Sequence, residues 1–467
     1  MAAVTNRTEP ASTDIPSVPS PYGDRTITTG QHLRIAAYWF ATNFLWGALL
    51  LVMLPGQIRA MNPDYRAEAL GILTGASAIV ALVVPLLAGA LSDRCAHRWG
   101  RRRPYMAVGL TINVIGLLGM ALAYATTKPS VGATSVLNSI LGNPGVLLFF
   151  LGYMVVQLGN NITSAAYMGV IPDVVPENQR GTASGFMALM SQAGTLFGAI
   201  GSAVLLKGAS ETAKYAMLGV VLVVVALVTI FGMKENPLPF APPKIQWGPY
   251  LRSLWIDPKK YPDFAWVWIT RALVMLGFYA VLPFINYYLV DVINVPQDQV
   301  GEKATMVLGI ILIASTISGL LGGKLSDRIG RKRVVYVSNV MIAVMALSFI
   351  FCRSLVDVLI AGSIFGLGYG AYISVDYALG TDVLPSKNDA AKEMAVWHVA
   401  MTLPQSIAAP VAGYLIAIGG QTVLPPLEKG GEVIKHYTIT GYAAVFILCA
   451  VCFALGAYLL KNVRGVK

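Results

Sequence analysis

The sequence predicts an all-α membrane protein, with twelve transmembrane helices arranged as two pseudo-symmetric six-helix bundles. Three observations carry that expectation. Of 467 residues, 56% are hydrophobic and only 12% charged, whereas a water-soluble domain carries about twice that charged share. Long apolar windows recur along the whole chain. Motifs of the first half return in the second. Such a chain has lipid as its main solvent, which excludes a disordered chain, a collagen-like fibre and an ordinary cytosolic enzyme.

Residues 1–30 are rich in Pro, Ser and Thr and lack an apolar run, so they read as a disordered cytoplasmic tail and not as a signal peptide. Windows free of Asp, Glu, Lys and Arg follow at 35–58, 69–92, 104–127, 146–172, 181–206 and 215–233. They resume at 304–323, 334–352, 394–419 and 437–460, while 264–290 and 358–381 hold one charge each. Each is long enough to cross ~30 Å of hydrocarbon as a helix. Period-2 alternation is absent, so a β-barrel is not expected. The spans fall into bundles at 31–234 and 263–461, joined by a polar, Pro-rich cytoplasmic linker at 235–262 and closed by a short cytoplasmic tail at 462–467.

Charge sets the sidedness. The net charge is +11, and the excess lies in loops between spans, which argues for membrane orientation and against nucleic acid. With both termini cytoplasmic, only Arg59, Arg66, Lys128, Lys207, Lys214, Lys303, Arg353, Lys429 and Lys435 fall on the outer side, and Arg271 inside a span, out of 34 Lys and Arg. The expected place is a cell membrane with both termini inside. Cys95, Cys352, Cys449 and Cys452 lie in or beside spans and imply neither a disulfide framework nor a metal site. No cofactor is expected, and a monomer is.

The internal repeat is specific. Gly89-Ala-Leu-Ser-Asp93-Arg94 returns as Gly323-Lys-Leu-Ser-Asp327-Arg328. Gly100-Arg-Arg-Arg103 returns as Gly330-Arg-Lys-Arg333, and Asp173-Val-Val-Pro176 as Asp382-Val-Leu-Pro385. With these motifs after spans two and eight, the chain resembles the major facilitator superfamily. The run Ser92-Asp-Arg-Cys-Ala-His-Arg-Trp-Gly-Arg-Arg-Arg-Pro104 resembles the plant-type sucrose:proton symporters and their glycoside-pentoside-hexuronide relatives. That resemblance implies alternating access and a cytoplasmic gate built from Asp93, Arg94, Arg101, Asp327, Arg328 and Arg331, with Arg180 as a further partner. The plainer alternative is a set of solvated loops that obey the positive-inside rule.

Two opposite charges occupy the span interiors. Arg271 lies eight residues past Asp263 and Asp376 six before Asp382, or ~12 Å and ~9 Å deep by helical rise. They meet either as a structural bridge or as an ion-coupling pair. Span four carries Gln157, Asn160, Asn161 and Ser164 at i, i+3, i+4 and i+7 on one helix face. Amides and hydroxyls supply the donors and acceptors that sugar hydroxyls need, and the alternative is hydrogen bonding between helices. Asn43, Trp46, Gln192, Tyr369, Tyr372, His398 and Gln405 complete the candidate substrate set.

The chain departs from the sucrose symporters it resembles. They place an Asp three residues before the Asn pair, where Gln157 stands, and an Arg seven residues after its second Asn, where Met168 stands. Either the charge pair has moved to Arg271 and Asp376 in the second half, or transport is uncoupled. The expected function is secondary active transport of a sugar or glycoside, such as sucrose or maltose, with H⁺ or another cation. The alternatives are an uncoupled sugar facilitator and a transporter-like membrane sensor. Metal clusters, nucleophile elbows and Walker loops are absent, so an enzyme is not expected.

Overall fold

The computed structural model describes residues 20–464 apart from 24, 177–178, 239–244, 246, 249–255, 385–389 and 424–434. Among the described residues, twelve helices are long and apolar enough to cross a membrane: α1 Thr29–Met61, α2 Arg66–Asp93, α3 Arg103–Thr126, α4 Pro144–Met168, α5 Gly185–Leu205, α6 Glu211–Gly232, α7 Pro262–Asp291, α8 Val300–Gly319, α9 Arg331–Phe351, α10 Leu355–Asp376, α11 Val396–Ile418 and α12 Ile439–Asn462. A short hairpin, β1 Gln421–Val423 with β2 Lys435–Tyr437, joins α11 to α12.

Local chemistry sets the ends of these helices. Thr28 and Gln31 form a capping box at α1, and Ser354 and Asp357 form another at α10. Asn143 caps α4, and Pro144 and Pro262 sit in the first turns of α4 and α7, where a missing N–H costs nothing. Gly100 and Gly330, the repeated motif glycines, both take positive φ, +100° and +96°. Only glycine adopts this backbone freely, and it turns the chain into α3 and α9. Residues 1–19 of the expected tail lie outside the described residues. From Ser20 the chain lies on the body, with Ser20 donating to the Val174 carbonyl at 2.6 Å, and Ile27 is buried.

The two halves repeat one packing plan. In the first, α1 packs on α5 and α6, α4 on α2 and α3, and α3 on α6; in the second, α7 packs on α11 and α12, α10 on α8 and α9, and α9 on α12. The halves meet mainly along α2 and α11. There Pro410 offers no N–H to the Ser406 carbonyl four residues back, and Gly75 lies against that point. A Cβ on Gly75 would fall 2.3 Å from the Pro410 ring.

Cross-half contacts concentrate at the end opposite the chain termini, here the far end. There Arg66 pairs with Asp291, Tyr287 donates to the Pro55 carbonyl at 2.9 Å, and Asn286 donates to the Leu51 carbonyl at 2.6 Å. Away from that end the halves are joined by a weak hydrogen bond, Gln192 Nε2 donating to the Thr316 hydroxyl at 3.4 Å. The structure is therefore closed at the far end.

Candidate functional site

A cavity of about 550 Å³ lies between the halves at mid-span. The first half contributes a polar wall: Asn43 and Trp46 from α1, Gln157, Asn160 and Asn161 from α4, and Gln192 and Thr195 from α5. The second half contributes Phe278 and Tyr279 from α7, Tyr369 from α10, and His398, Thr402 and Gln405 from α11.

The polar wall is held by hydrogen bonds among its own members. Thr42 donates to Asn160 Oδ1 at 2.6 Å, and Asn161 Nδ2 donates to the Gln157 carbonyl at 2.8 Å. Asn43 Nδ2 donates to the Trp39 carbonyl at 2.8 Å. Asn160 Nδ2 and Asn161 Oδ1 have no partner among the described residues, so one donor and one acceptor remain for a ligand. Across the cavity, Phe278 and Tyr369 stack face to face, with centroids 4.1 Å apart and planes within 4°. An amide wall facing an aromatic platform suits a ligand with hydroxyls on its rim and C–H groups on its faces.

Two of the expected lining residues stand behind the wall. Ser164 bonds to the Tyr38 hydroxyl at 3.1 Å between α4 and α1. Tyr372 donates to Asp376 Oδ1 at 2.9 Å and is itself buried. Helical periodicity puts a residue on a face, but a face about four residues long also touches the neighbouring helix.

Arg271 and Asp376 form a direct ion pair, 8% and 3% exposed. They do not confront each other across the cavity. Both belong to the second half, where α7 and α10 touch, and Arg271 is one helical stretch of ~10 Å from Phe278 on the termini side. The guanidinium lies over the Trp397 ring at 4.9 Å, and the next residue, His398, lines the cavity. Thus one side-chain layer connects the ion pair to the ligand space.

At the termini end the repeated motifs become repeated ion pairs. Arg101 pairs with Asp173, and Arg331 with Asp382 at 2.5 Å. Asp93 pairs with Arg102 at 2.5 Å, and Arg102 Nε donates to Asp173 at 2.7 Å. Burial opposes the Arg102 charge, yet Asp93 and Asp173 outweigh it and raise its pKa. Glu235 accepts from the backbone N–H groups of Arg101 and Arg102 at 2.8 Å and of Arg103 at 3.3 Å. Its carboxyl is still pushed up by burial, against these donors. All these pairs stay within one half. Arg94 and Arg328 have no ion-pair partner among the described residues, and the side chains of Arg180 and Asp327 lie outside the described set.

Sequence reasoning missed the buried Arg66–Asp291 pair at 2.5 Å. The two residues flank window 69–92, which is free of charge, and window 264–290, which holds only Arg271, and so read as loop charges. The signal available was that each stands within three residues of a long apolar window.

The Major Facilitator Superfamily profile matches residues 35–388 and 267–466. The sucrose transport protein SUC4 of Arabidopsis thaliana is 26% identical over 169 residues, 36% of this chain and 32% of that protein, so the chain matches only about a third of its length. The multi-drug resistance efflux pump PmrA of Streptococcus pneumoniae is 24% identical over 431 residues, 91% of this chain and 94% of the relative. The crystal structure of the nucleoside transporter NupG superposes with a TM-score of 0.64 at 15% identity, covering 93% of this chain and 99% of that one. With both halves matched by one profile and their packing plan repeated, this chain belongs to the Major Facilitator Superfamily.

Proposed function

We propose that the protein is a secondary transporter that moves a sugar or glycoside across a cell membrane by alternating access, coupled to protons, with both termini in the cytoplasm. The observation that carries this reading is the two-walled cavity. Its volume of about 550 Å³ lies within the roughly 300–1,000 Å³ of small-molecule sites. Unspent amide donors and acceptors face a stacked aromatic pair, which matches the hydroxyl rim and apolar face of a pyranose. The space favours a disaccharide such as sucrose or maltose. Each chain holds a complete cavity, so a monomer suffices.

Coupling is assigned to Arg271–Asp376. A carboxylate paired with arginine in one state and protonated in another links proton movement to the rocking of the halves. Span four lacks the carboxylate and arginine of the sucrose symporters, which leaves this pair as the charge couple of the membrane interior. The likeness to PmrA, over most of both chains, favours a second reading, export of drug-like compounds through the same cavity.

Uptake of labelled sucrose, maltose, glucose and xylose into proteoliposomes, with and without a pH gradient, tests the proposal. Gradient-driven accumulation of one sugar is expected. Equilibration without accumulation would make the protein a facilitator, and flux of a cationic dye with no saccharide flux would select the export reading.

A further inference from the structure

The far-end network of Arg66, Asp291, Tyr437 and Tyr442 takes no part in the cavity or in Arg271–Asp376, yet it joins the two halves in a dry layer. The structure assigns Arg66 and Asp291 a role as the far-end gate of the transport cycle; this inference rests on the alternating-access reading.

Arg66 belongs to the first half, and Asp291 to the second. The side chains are 2% and 0% exposed and touch at 2.5 Å. The other Asp291 oxygen accepts from the Tyr442 hydroxyl at 2.6 Å, and His436 Nδ1 lies 3.3 Å from the oxygen that holds Arg66. Tyr442 and His436 travel with Asp291, so of the contacts made by this carboxylate, opening the far end removes the arginine and keeps the other two.

The second half also grips the start of α2. The Arg66 guanidinium sits 5.2 Å from the Tyr287 ring centroid and 5.0 Å from that of Tyr437. Tyr437 donates to the Glu68 carboxylate at 2.9 Å and accepts from the Ala67 N–H at 3.3 Å.

Helix poles explain why this contact can switch. Arg66 opens α2 at the positive pole, and Asp291 closes α7 at the negative pole. Each charge sits at the helix end of its own sign and is disfavoured there unless an opposite charge or water compensates. The closed state supplies the opposite charge and the open state supplies water. A half-parted state supplies neither, since unpaired dry charges are costly. Two stable positions with a poor intermediate define a gate. Arg66 and Asp291 are positioning residues that do not touch the ligand.

The test reads accessibility, which does not depend on any sugar being carried. Ala81, a partly exposed residue lining the cavity, is replaced by Cys in a Cys95→Ser background. Labelling by a membrane-impermeant maleimide is then timed from the far face of uniformly oriented proteoliposomes. Asp291→Asn and Arg66→Gln should each speed far-face labelling by about tenfold or more. The exchange Arg66→Asp with Asp291→Arg should return it toward the parent rate, which a merely misfolded protein would not do. Tyr437→Phe, which removes one hydroxyl, should give a smaller rise and serves if the charge variants do not fold. Unchanged labelling in the single variants, or in Tyr437→Phe when it alone folds, overturns the gate. So does an exchange variant labelled as fast as the singles. Labelling that follows the gate variants as expected while every saccharide fails to move would sink the sugar reading and leave the gate standing.

Discussion

Asn161 and Ser164 lie one helical turn apart on the same face of α4, yet only Asn161 lines the cavity. Removing a hydrogen-bonding group that meets the ligand costs about 1–3 kcal/mol, and removing one that meets only a neighbouring helix costs less than that in the ligand's affinity. Asn161→Ala should therefore raise the KM for the transported sugar roughly tenfold, and Ser164→Ala should leave it within about threefold. Equal effects in initial-rate uptake would show that the wall is drawn in the wrong place. The amide stripe was legible because polar side chains in an apolar window stand out. The aromatic platform was only half legible, since Tyr369 was singled out and its stacking partner Phe278 is one apolar residue among many in its window. For the Arg271–Asp376 pair, Asp376→Leu leaves a dry, unpaired guanidinium and should cost about 3–5 kcal/mol of stability. Replacing both partners with Arg271→Met and Asp376→Leu should recover most of that loss. Thermal unfolding in detergent compares the two.

Among the elements, the repeat is the part of the fold most fully written in the sequence. Each motif glycine is followed by an arginine that pairs with the aspartate ending the fourth or tenth span. The repeat was visible in one dimension because a positive φ demands glycine and an ion pair demands fixed signs. Glu235 was not visible, because a carboxylate that caps a helix from a linker carries no local pattern. Gly100 and Glu235 are matched: a Cβ on Gly100 would fall 2.4 Å from the Glu235 carboxylate, on a backbone at φ +100°. Gly100→Ala should lower stability by roughly 1–3 kcal/mol, seen as a lower Tm, while Gly89→Ala, which meets nothing within 4 Å, should not. The α2–α11 contact gives a second expectation. A valine at Gly75 cannot fit beside Pro410 and Ser406, so Gly75→Val should hold the far end apart and slow transport at saturating sugar. An unchanged maximal rate would mean that this close approach is not part of the cycle.

For the whole molecule, twelve helices and two matching halves follow from hydropathy and repetition, because lipid forces every backbone group into helical hydrogen bonds. Which end is closed was not legible, since the Arg66–Asp291 pair brings together residues 225 apart in sequence that both looked like loop charges. That Arg271 and Asp376 meet inside the second half was legible; that they meet away from the cavity was not. The coupling proposed here would pass from an ion pair inside the second half through Trp397 and His398 to the cavity. Internal pH tests this most directly, followed with a trapped dye in proteoliposomes as an outward sugar gradient or an inward one is imposed. Sugar entry should acidify the lumen with the native protein. With Asp376→Asn, sugar counterflow should persist while the acidification disappears. Acidification that survives Asp376→Asn at the native sugar flux would contradict the coupling role of Arg271 and Asp376.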